Sequence, residues 1–300
     1  MAKKITQRKV VLVSFLVNLL DVITNLVVAL VTGSAVVFGQ MAQGLGDGVG
    51  SALLVLGARR AARPPDARHP LGYAREAFFW SILSAVSMLI FGAGLSAWRG
   101  VQQLMDPKPL DTPLLAVAVL VLAVFTNGYA VGLSARKLGV GRAGLRKVLQ
   151  RVDQPLVKGA FIRDVIGTFT SILGLVALLL YNMFGLLVLD ALGALSAAVC
   201  MAVGSIVLMA QARALITGRS LSEEKLRDLR AAILADPMVE AVNNLVAIHS
   251  GAFEILVDTD LDLREDLNTT QIEAVLDSIE ARVRVIMPEV TRVRVLLNSP

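Results

Sequence analysis

The sequence predicts an α-helical membrane protein: a six-transmembrane-helix bundle over residues 1–216, followed by a small cytoplasmic α+β domain over residues 217–300. Apolar residues form 55% of the chain and charged residues only 18%, whereas about a quarter of a soluble domain is charged. The apolar excess lies almost wholly within residues 10 to 216, and the remainder has the composition of a soluble domain. We therefore expect one domain in lipid and one in water.

Six apolar segments have the length of about 20 residues that a transmembrane helix needs. They cover residues 10–32, 35–57, 77–99, 114–135, 157–181 and 185–212, each to within a few residues. The first segment follows a basic start, as a signal peptide would. Because its apolar run continues for about 22 residues without a small-residue cleavage site, we interpret it as a retained helix.

The distribution of basic residues predicts that both termini are cytoplasmic, because Lys and Arg are enriched in cytoplasmic loops. Fifteen of them lie in the N-terminal segment and in the loops after the second and fourth spans, against Arg99 and Lys108 in the opposite loops. These positions also account for the net charge of +5 without a nucleic-acid partner. We expect a location in a bacterial inner membrane.

The C-terminal segment is predicted to have the element order α-β-β-α-β, in a ferredoxin-like arrangement with both helices on one face of a three-stranded sheet. Helical periodicity, alternation and turn residues give the elements. They are a helix over Ser220–Ala235, strands over Val239–His249 and Ala252–Leu263 joined by Ser250-Gly251, a helix capped by Asn268, and a strand over Thr291–Leu297. Such a domain suits either dimer contacts or metal sensing.

Polar residues inside the spans are the candidate functional residues, since ionisable groups in a membrane are costly. Three pairs of polar residues lie one helical turn apart, so the members of each pair share a helix face. The pairs are Asp21 with Asn25, Gln43 with Asp47, and Asp164 with Thr168, and Asn127 is a single polar residue on the fourth span. Oxygen ligands of this kind suit a small divalent cation. We predict a metal site formed by Asp47, Asp164 and Gln43, with Asp21 and Asn25 as further ligands. Asn127 and Thr168 fit interhelical hydrogen bonds better.

The charge partner of the buried carboxylates is not evident from the sequence. Arg163 precedes Asp164 but points about 100° away from it around the helix. A bound cation or a proton is therefore the expected partner of Asp47 and Asp164. Asp190 is interpreted as a helix-end residue. The chain has no nucleophile–base set and no phosphate-binding glycine loop, so we expect neither an enzyme nor a resident cofactor.

Five stretches together make the chain resemble the cation diffusion facilitators, also called cation efflux proteins. The resemblance covers essentially the whole chain. Its motifs are Gly33-Ser34 at the start of the second span, His69-Pro70-Leu71-Gly72-Tyr73 after Asp47, the Asp164 to Ser171 stretch of the fifth span, and Pro237-Met238-Val239 with Ser250-Gly251 in the tail. The resemblance implies a homodimer that exports divalent metal from the cytosol in exchange for protons.

The resemblance also implies where this chain departs from its family. The family site pairs a His or Asp with an Asp on the second and fifth spans, and here those pairs are Gln43 with Asp47 and Ala160 with Asp164. Because zinc prefers nitrogen or sulfur ligands, the oxygen set favours manganese, iron(II) or magnesium. Tyr73 in the loop and three tail residues stand where zinc-binding members have histidines, so we expect no zinc cluster in the tail; the three are Asn243, Thr259 and Glu273. A transport-inactive regulatory or scaffold subunit and a transporter of another cation stay open as alternatives.

Overall fold

The structure is a computed structural model that describes residues 19–137, 155–251 and 254–297, without the side chains of residues 137, 155–158 and 160. The chain forms two compact units. The first contains most of the apolar helices, and the second contains residues 213–300 together with residues 58–79, which include the loop after the second predicted span.

The first unit consists of long helices. They are α1 (Leu19–Thr32), α2 (Ala35–Ala61), α3 (Glu76–Ser87), a π-helical stretch (Met88–Gly94), α4 (Leu95–Met105), α5 (Pro113–Lys137), α6 (Pro155–Phe184) and α7 (Val188–Ile216). The π-helical stretch joins α3 and α4 into one continuous rod, Glu76–Met105. Proline is the first residue of α5, a position where its missing N–H costs no hydrogen bond.

Four of these helical segments are long and apolar enough to cross a membrane: Glu76–Met105, Pro113–Arg136, Phe161–Phe184 and Val188–Ile216. The described part of α1 is apolar but short, because residues 10–18 of the first predicted span lie outside the described residues. The 27-residue α2 is long enough, but it carries glutamines, an aspartate and two arginines. Membrane crossing by these two helices therefore stays a prediction.

Glycines on α2 allow α3 to approach closely. A Cβ added to Gly46 would lie 3.3 Å from backbone atoms of Ser87, Met88 and Gly92, and one added to Gly50 would lie 2.7 Å from Ser84 Oγ. The Ser87 hydroxyl also donates to the Gly46 carbonyl over 3.0 Å. Gly46 and Gly50, on either side of Asp47, thus allow close helix packing.

The junction between α1 and α2 is held by a residue from α7. Gly33 adopts a φ of 73°, which ends α1. Asp190, in the first turn of α7, has no exposed surface and accepts hydrogen bonds from Ser34 Oγ and Ala35 N, both over 2.7 Å, and from Val36 N over 3.2 Å. Asp190 is at a helix end, as predicted, but it also caps the start of a different helix.

The second unit contains the predicted α-β-β-α-β order: α8 (Glu223–Leu234), β1 (Val239–His249), β2 (Ile255–Leu263), α9 (Thr269–Ile286) and β3 (Val290–Leu297). The sheet order is β1-β2-β3, with β2 antiparallel to β1 and parallel to β3. Alternate residues of β2 join both helices in one apolar core. Asn268 caps α9 in a reciprocal capping box with Gln271, which confirms the predicted cap.

The turn after β1 lies against the loop that follows α2. A Cβ added to Gly251 would be 2.6 Å from the Ala74 Cβ and 3.4 Å from Ala74 backbone atoms. We therefore expect Gly251→Ala to separate loop and turn, to destabilise this unit by about 1–2 kcal/mol, and to speed tryptic cleavage at Arg75. Limited proteolysis and thermal unfolding measure both effects. Ala74→Gly in the same chain removes the opposing Cβ and should restore the parent behaviour; no rescue would show that the two residues do not meet.

Candidate metal site

One polar cavity in the first unit brings together the predicted ligands of α2 and α6. It has a volume of ≈ 300 Å³ and is lined by Gln43, Asp47, Ser51, Asn127, Arg163, Asp164 and Gly167. Gln43 and Asp47 lie one turn apart on α2, and Asp164 lies on α6. The face of α2 that carries Gln43 and Asp47 therefore borders the same cavity as Asp164. Gln43, Asp47 and Asp164 therefore line a common space.

Arg163 is the charge partner of Asp47, which the sequence analysis did not foresee. Its Nε lies 3.3 Å from Asp47 Oδ1, and its Nη2 donates to Ser84 Oγ on α3 over 2.7 Å. The sequence analysis expected a bound cation or a proton at this carboxylate; the structure adds Arg163 as a partner of Asp47, and metal or proton binding there stays a prediction. Arg163 and Asp164 are neighbours on α6, and the Arg163 side chain extends from there to α2 and α3.

Asp164 is held by the helix on its other side. Ser134 Oγ of α5 donates a short hydrogen bond of 2.5 Å to Asp164 Oδ2. Thr168, one turn along α6, donates over 3.0 Å to the backbone carbonyl of Asp164, a bond within α6 and not the interhelical bond expected of it. Ser134 orients the carboxylate from α5 while leaving it at the cavity wall.

Hydrogen bonds between α2, α5 and α6 continue from the cavity into the bundle. Thr170 Oγ1 donates to Gln43 Oε1 over 2.7 Å. Asn127 Nδ2 donates to Ser171 Oγ over 2.9 Å, and Ser171 Oγ in turn lies 2.9 Å from Gln40 Oε1. Asn127 thus makes the interhelical hydrogen bond that was expected of it.

Sequence reasoning missed several residues of this site: Gln40, Ser51, Ser84, Ser134 and Thr170. Each is an uncharged polar residue in an apolar helix, which is common and so gives little signal. Gln40 shares its helix with Gln43 and Asp47, and a full polar stripe on α2 could have identified it.

Asp21 and Asn25 do not line the cavity. Asn25 is buried, and its Nδ2 donates over 2.8 Å to the Asp21 backbone carbonyl. Asp21 Oδ2 would be 3.9 Å from a Cβ on Gly44, so it faces α2 one turn from Asp47. The structure does not bring these two side chains together with Asp47 and Asp164, and their role as ligands stays a prediction.

Within the described residues, no three His, Cys, Asp or Glu side chains lie close enough to hold a metal ion together. Of the three tail positions where the resemblance implied lost histidines, Asn243 donates to Asp262 Oδ1 over 2.9 Å, and Thr259 donates to the Asn244 carbonyl over 2.9 Å. The first of these bonds is exposed and the second partly buried. Both residues therefore make hydrogen bonds between the paired strands β1 and β2.

The loop after α2 has an ordered polar centre at Asp66. Its carboxylate accepts hydrogen bonds from the Tyr73 hydroxyl over 2.6 Å and from the backbone N–H groups of His69 and Arg68 over 2.7 Å and 2.9 Å. The Tyr73 bond first, and then these N–H groups, lower the pKa of Asp66, while the same carboxylate raises the pKa of Tyr73. A lowered carboxyl pKa means that this contribution to loop order is present above the unfolded value of about 3.9 and is lost as pH falls through the folded pKa.

This centre gives a titration prediction. Asp66→Asn should lower the pKa of Tyr73 towards the ordinary value of about 10, because the phenol no longer donates to a carboxylate. The phenolate absorbance of the chain, which has three tyrosines, measures the change. Tyr73→Phe identifies the component of the titration that belongs to Tyr73. An unaltered Tyr73 titration in Asp66→Asn would mean that the bond does not form in solution.

The fold and the cavity define an integral membrane protein whose helices enclose a carboxylate-lined site. Residues 11–216 match the family model of the cation efflux transmembrane domain, and the chain belongs to the cation efflux family. This confirms the resemblance noted in the sequence.

Named relatives are similar over most of this chain. The "Proton-coupled zinc antiporter SLC30A9, mitochondrial" of Xenopus laevis is 27% identical over 283 residues, which cover 90% of this chain and 50% of that protein. The "Cation-efflux pump FieF" of Cronobacter sakazakii is 23% identical over 253 residues, which cover 84% of this chain and 79% of that one. A cadmium form of the MamM CTD matches with a TM-score of 0.24 at 17% identity, covering 26% of this chain and 96% of that one. The chain spans about half the length of the SLC30A9 relatives that it matches.

Proposed function

We propose that the protein is a divalent metal cation efflux transporter in which Asp47 and Asp164 bind the metal, with Gln43 as a further ligand. The observation that carries this proposal is the single cavity that all three residues line. Two carboxylates from different helices at one space can coordinate a cation that bridges the helices. Membership of the cation efflux family supports the same function.

The proposed metal preference is for manganese, iron(II) or magnesium over zinc. Among the described lining residues, the atoms able to ligate a metal are carboxylate, amide and hydroxyl oxygens, with no imidazole or thiolate. Such ligands suit harder ions, while zinc prefers nitrogen and sulfur. The relative from Xenopus laevis is named a zinc antiporter, so zinc belongs in any test.

The proposed mechanism is metal/proton antiport by alternating access, in a homodimer. Metal enters from the cytoplasmic side, binds between α2 and α6, and is exposed to the other side when the helices rearrange. Protons then compete with the metal for Asp47 and Asp164 and return inwards. Carboxylates carry the protons in this scheme, because the described cavity lining contains no histidine.

The ion pair between Arg163 and Asp47 favours a second candidate function. Two carboxylates and one guanidinium give the lining a formal charge of −1, which would suit binding of a monovalent cation. An arginine that stays on Asp47 would also suit a regulatory subunit that does not transport metal. The same pair is compatible with metal transport if the guanidinium leaves when the metal binds.

Flux measurements in proteoliposomes test the proposal. The full chain is reconstituted, a pH gradient is imposed, and uptake of manganese, iron(II), zinc, cobalt and magnesium is followed, with protein-free liposomes as the control. We expect uptake of manganese or iron(II) that slows when the pH gradient is collapsed. If a folded dimer takes up no metal, the second candidate function is favoured. If the uptake rate is the same with and without the pH gradient, proton exchange is rejected.

A further inference from the structure

We propose that Arg163 is a tethered competitor of the metal: its guanidinium occupies Asp47 in the empty site and must leave Asp47 before the metal binds. Arg163 is then a residue that sets affinity and release and that does not ligate the metal. This inference rests on the proposed function and adds to it the residue that controls metal exchange.

Arg163 bridges α6, α2 and α3. Arg163 starts on α6, contacts Asp47 on α2 and hydrogen-bonds to Ser84 on α3, with its side chain only 16% exposed. It lines the same cavity as both carboxylates. A permanent positive charge therefore lies where the site would place a metal.

The contact between Arg163 and Asp47 is close but poorly aligned. The two atoms are 3.3 Å apart, yet neither Asp47 Oδ1 nor Arg163 Nε makes a hydrogen bond, although both atoms are buried. Hydrogen-bond strength depends steeply on alignment, so charge holds this pair more than directional bonding does. A cation that offers better coordination can displace the guanidinium from this oxygen.

The Arg163 guanidinium has a second partner, Ser84. Ser84 Oγ accepts from Nη2 over 2.7 Å, and the tight packing at Gly50 fixes Ser84 against α2. Arg163 can therefore give up Asp47 while it keeps Ser84, so that it withdraws without entering lipid. When the metal leaves, the same charge returns to Asp47.

Repulsion makes the competition unavoidable. A divalent ion on Asp47 and a guanidinium on the same carboxylate would lie within a few ångströms of each other, in a partly buried site that screens charge weakly. Metal binding must therefore break the ion pair, which lowers affinity, and reforming the pair helps to expel the metal. Removing the positive charge should tighten binding and slow turnover together.

The test compares Arg163→Met, Arg163→Lys and Ser84→Ala with the parent full chain, and uses Arg59→Met as the matched control on the exposed end of α2. Manganese binding is measured by calorimetry in detergent and manganese flux in proteoliposomes. We expect Arg163→Met to lower the Kd for manganese about 10-fold or more and to lower both KM and kcat. The reason is that the carboxylates then attract the metal without competition, and no guanidinium returns to expel it. Arg163→Lys keeps the positive charge and should lower the Kd much less than Arg163→Met does, while Arg59→Met should leave both Kd and flux near the parent values.

Ser84→Ala keeps the charge and tests the withdrawal step. Without Ser84 the guanidinium has Asp47 as its remaining described partner, so manganese should bind more weakly than to the parent. A merely structural arginine would instead give weaker binding and lower kcat in Arg163→Met, with no opposite shift in Ser84→Ala.

The outcomes separate this inference from the proposed function. If the parent transports metal but a folded Arg163→Met binds manganese no more tightly, the inference is overturned and the proposed function stands. If the parent binds no metal while Arg163→Met does, the competition is supported and transport by the parent is rejected. If neither protein binds manganese, both the inference and the proposed function are rejected. If Arg163→Met does not fold, the affinities of Arg163→Lys and Ser84→Ala test the inference instead. Equal manganese affinity in Ser84→Ala and in the parent then overturns it.

Discussion

Asp164→Asn should reduce metal flux about 100-fold or more while leaving the protein folded. Asparagine has nearly the same shape as aspartate, and its Oδ1 can still accept the hydrogen bond from Ser134. The substitution therefore removes one negative charge from the cavity and can keep the bond to Ser134. Proteoliposome flux, alongside thermal unfolding in detergent, measures the two properties separately.

The matched control is Asp106→Asn, which makes the same chemical change at a carboxylate whose side chain is 74% exposed and which pairs with Lys108. Flux should stay at the parent level. Asp164→Asn with parent flux would exclude Asp164 from the metal site and would leave the cavity without the carboxylate that α6 supplies.

Asp47→Asn should abolish flux as well, but it should also destabilise the fold. Removing the Asp47 charge leaves the Arg163 guanidinium buried without a counter-charge, which should lower the free energy of unfolding by about 3–5 kcal/mol. Asp47→Asn combined with Arg163→Met removes both charges and should recover much of the stability without recovering flux. This difference separates the ligand role of Asp47 from its role in the ion pair.

Asp190→Ala should produce the largest loss of stability among the substitutions considered for the first unit. Asp190 is fully buried and accepts three hydrogen bonds from Ser34, Ala35 and Val36. Alanine would leave a hydroxyl and two backbone N–H groups buried without acceptors, at about 1–3 kcal/mol for each. We expect a fall in unfolding temperature of roughly 10 °C in detergent.

Asp190→Asn is the graded control for the same position. Its one carbonyl oxygen can serve part of the cap, while its NH₂ group faces donors, so the unfolding temperature should fall by an intermediate amount. Asp190→Ala with the parent unfolding temperature would show that water replaces the carboxylate at the start of α2. Ligand affinity should change little for either variant that folds, because Asp190 does not line the cavity.

Local patterns were sufficient for the tail and for the candidate carboxylates. The β1 bounds agree with the alternation of Val239–His249, and the cap at Asn268 was visible as a capping residue type before a helical apolar stripe. Asp47 and Asp164 stood out because a carboxylate within an apolar helix is costly and needs a reason. These features depend on residues near one another in sequence.

The sequence by itself therefore determined the apolar part of the chain, the family, the tail elements and the pair of carboxylates that line the cavity. The tertiary structure alone decided that Arg163 pairs with Asp47, that Ser134 holds Asp164 and that Asp190 caps α2. The reason is physical: each of these contacts joins residues far apart in the chain, and it depends on how neighbouring helices are rotated and packed. Helical periodicity fixes which face a residue occupies, but not which helix that face meets.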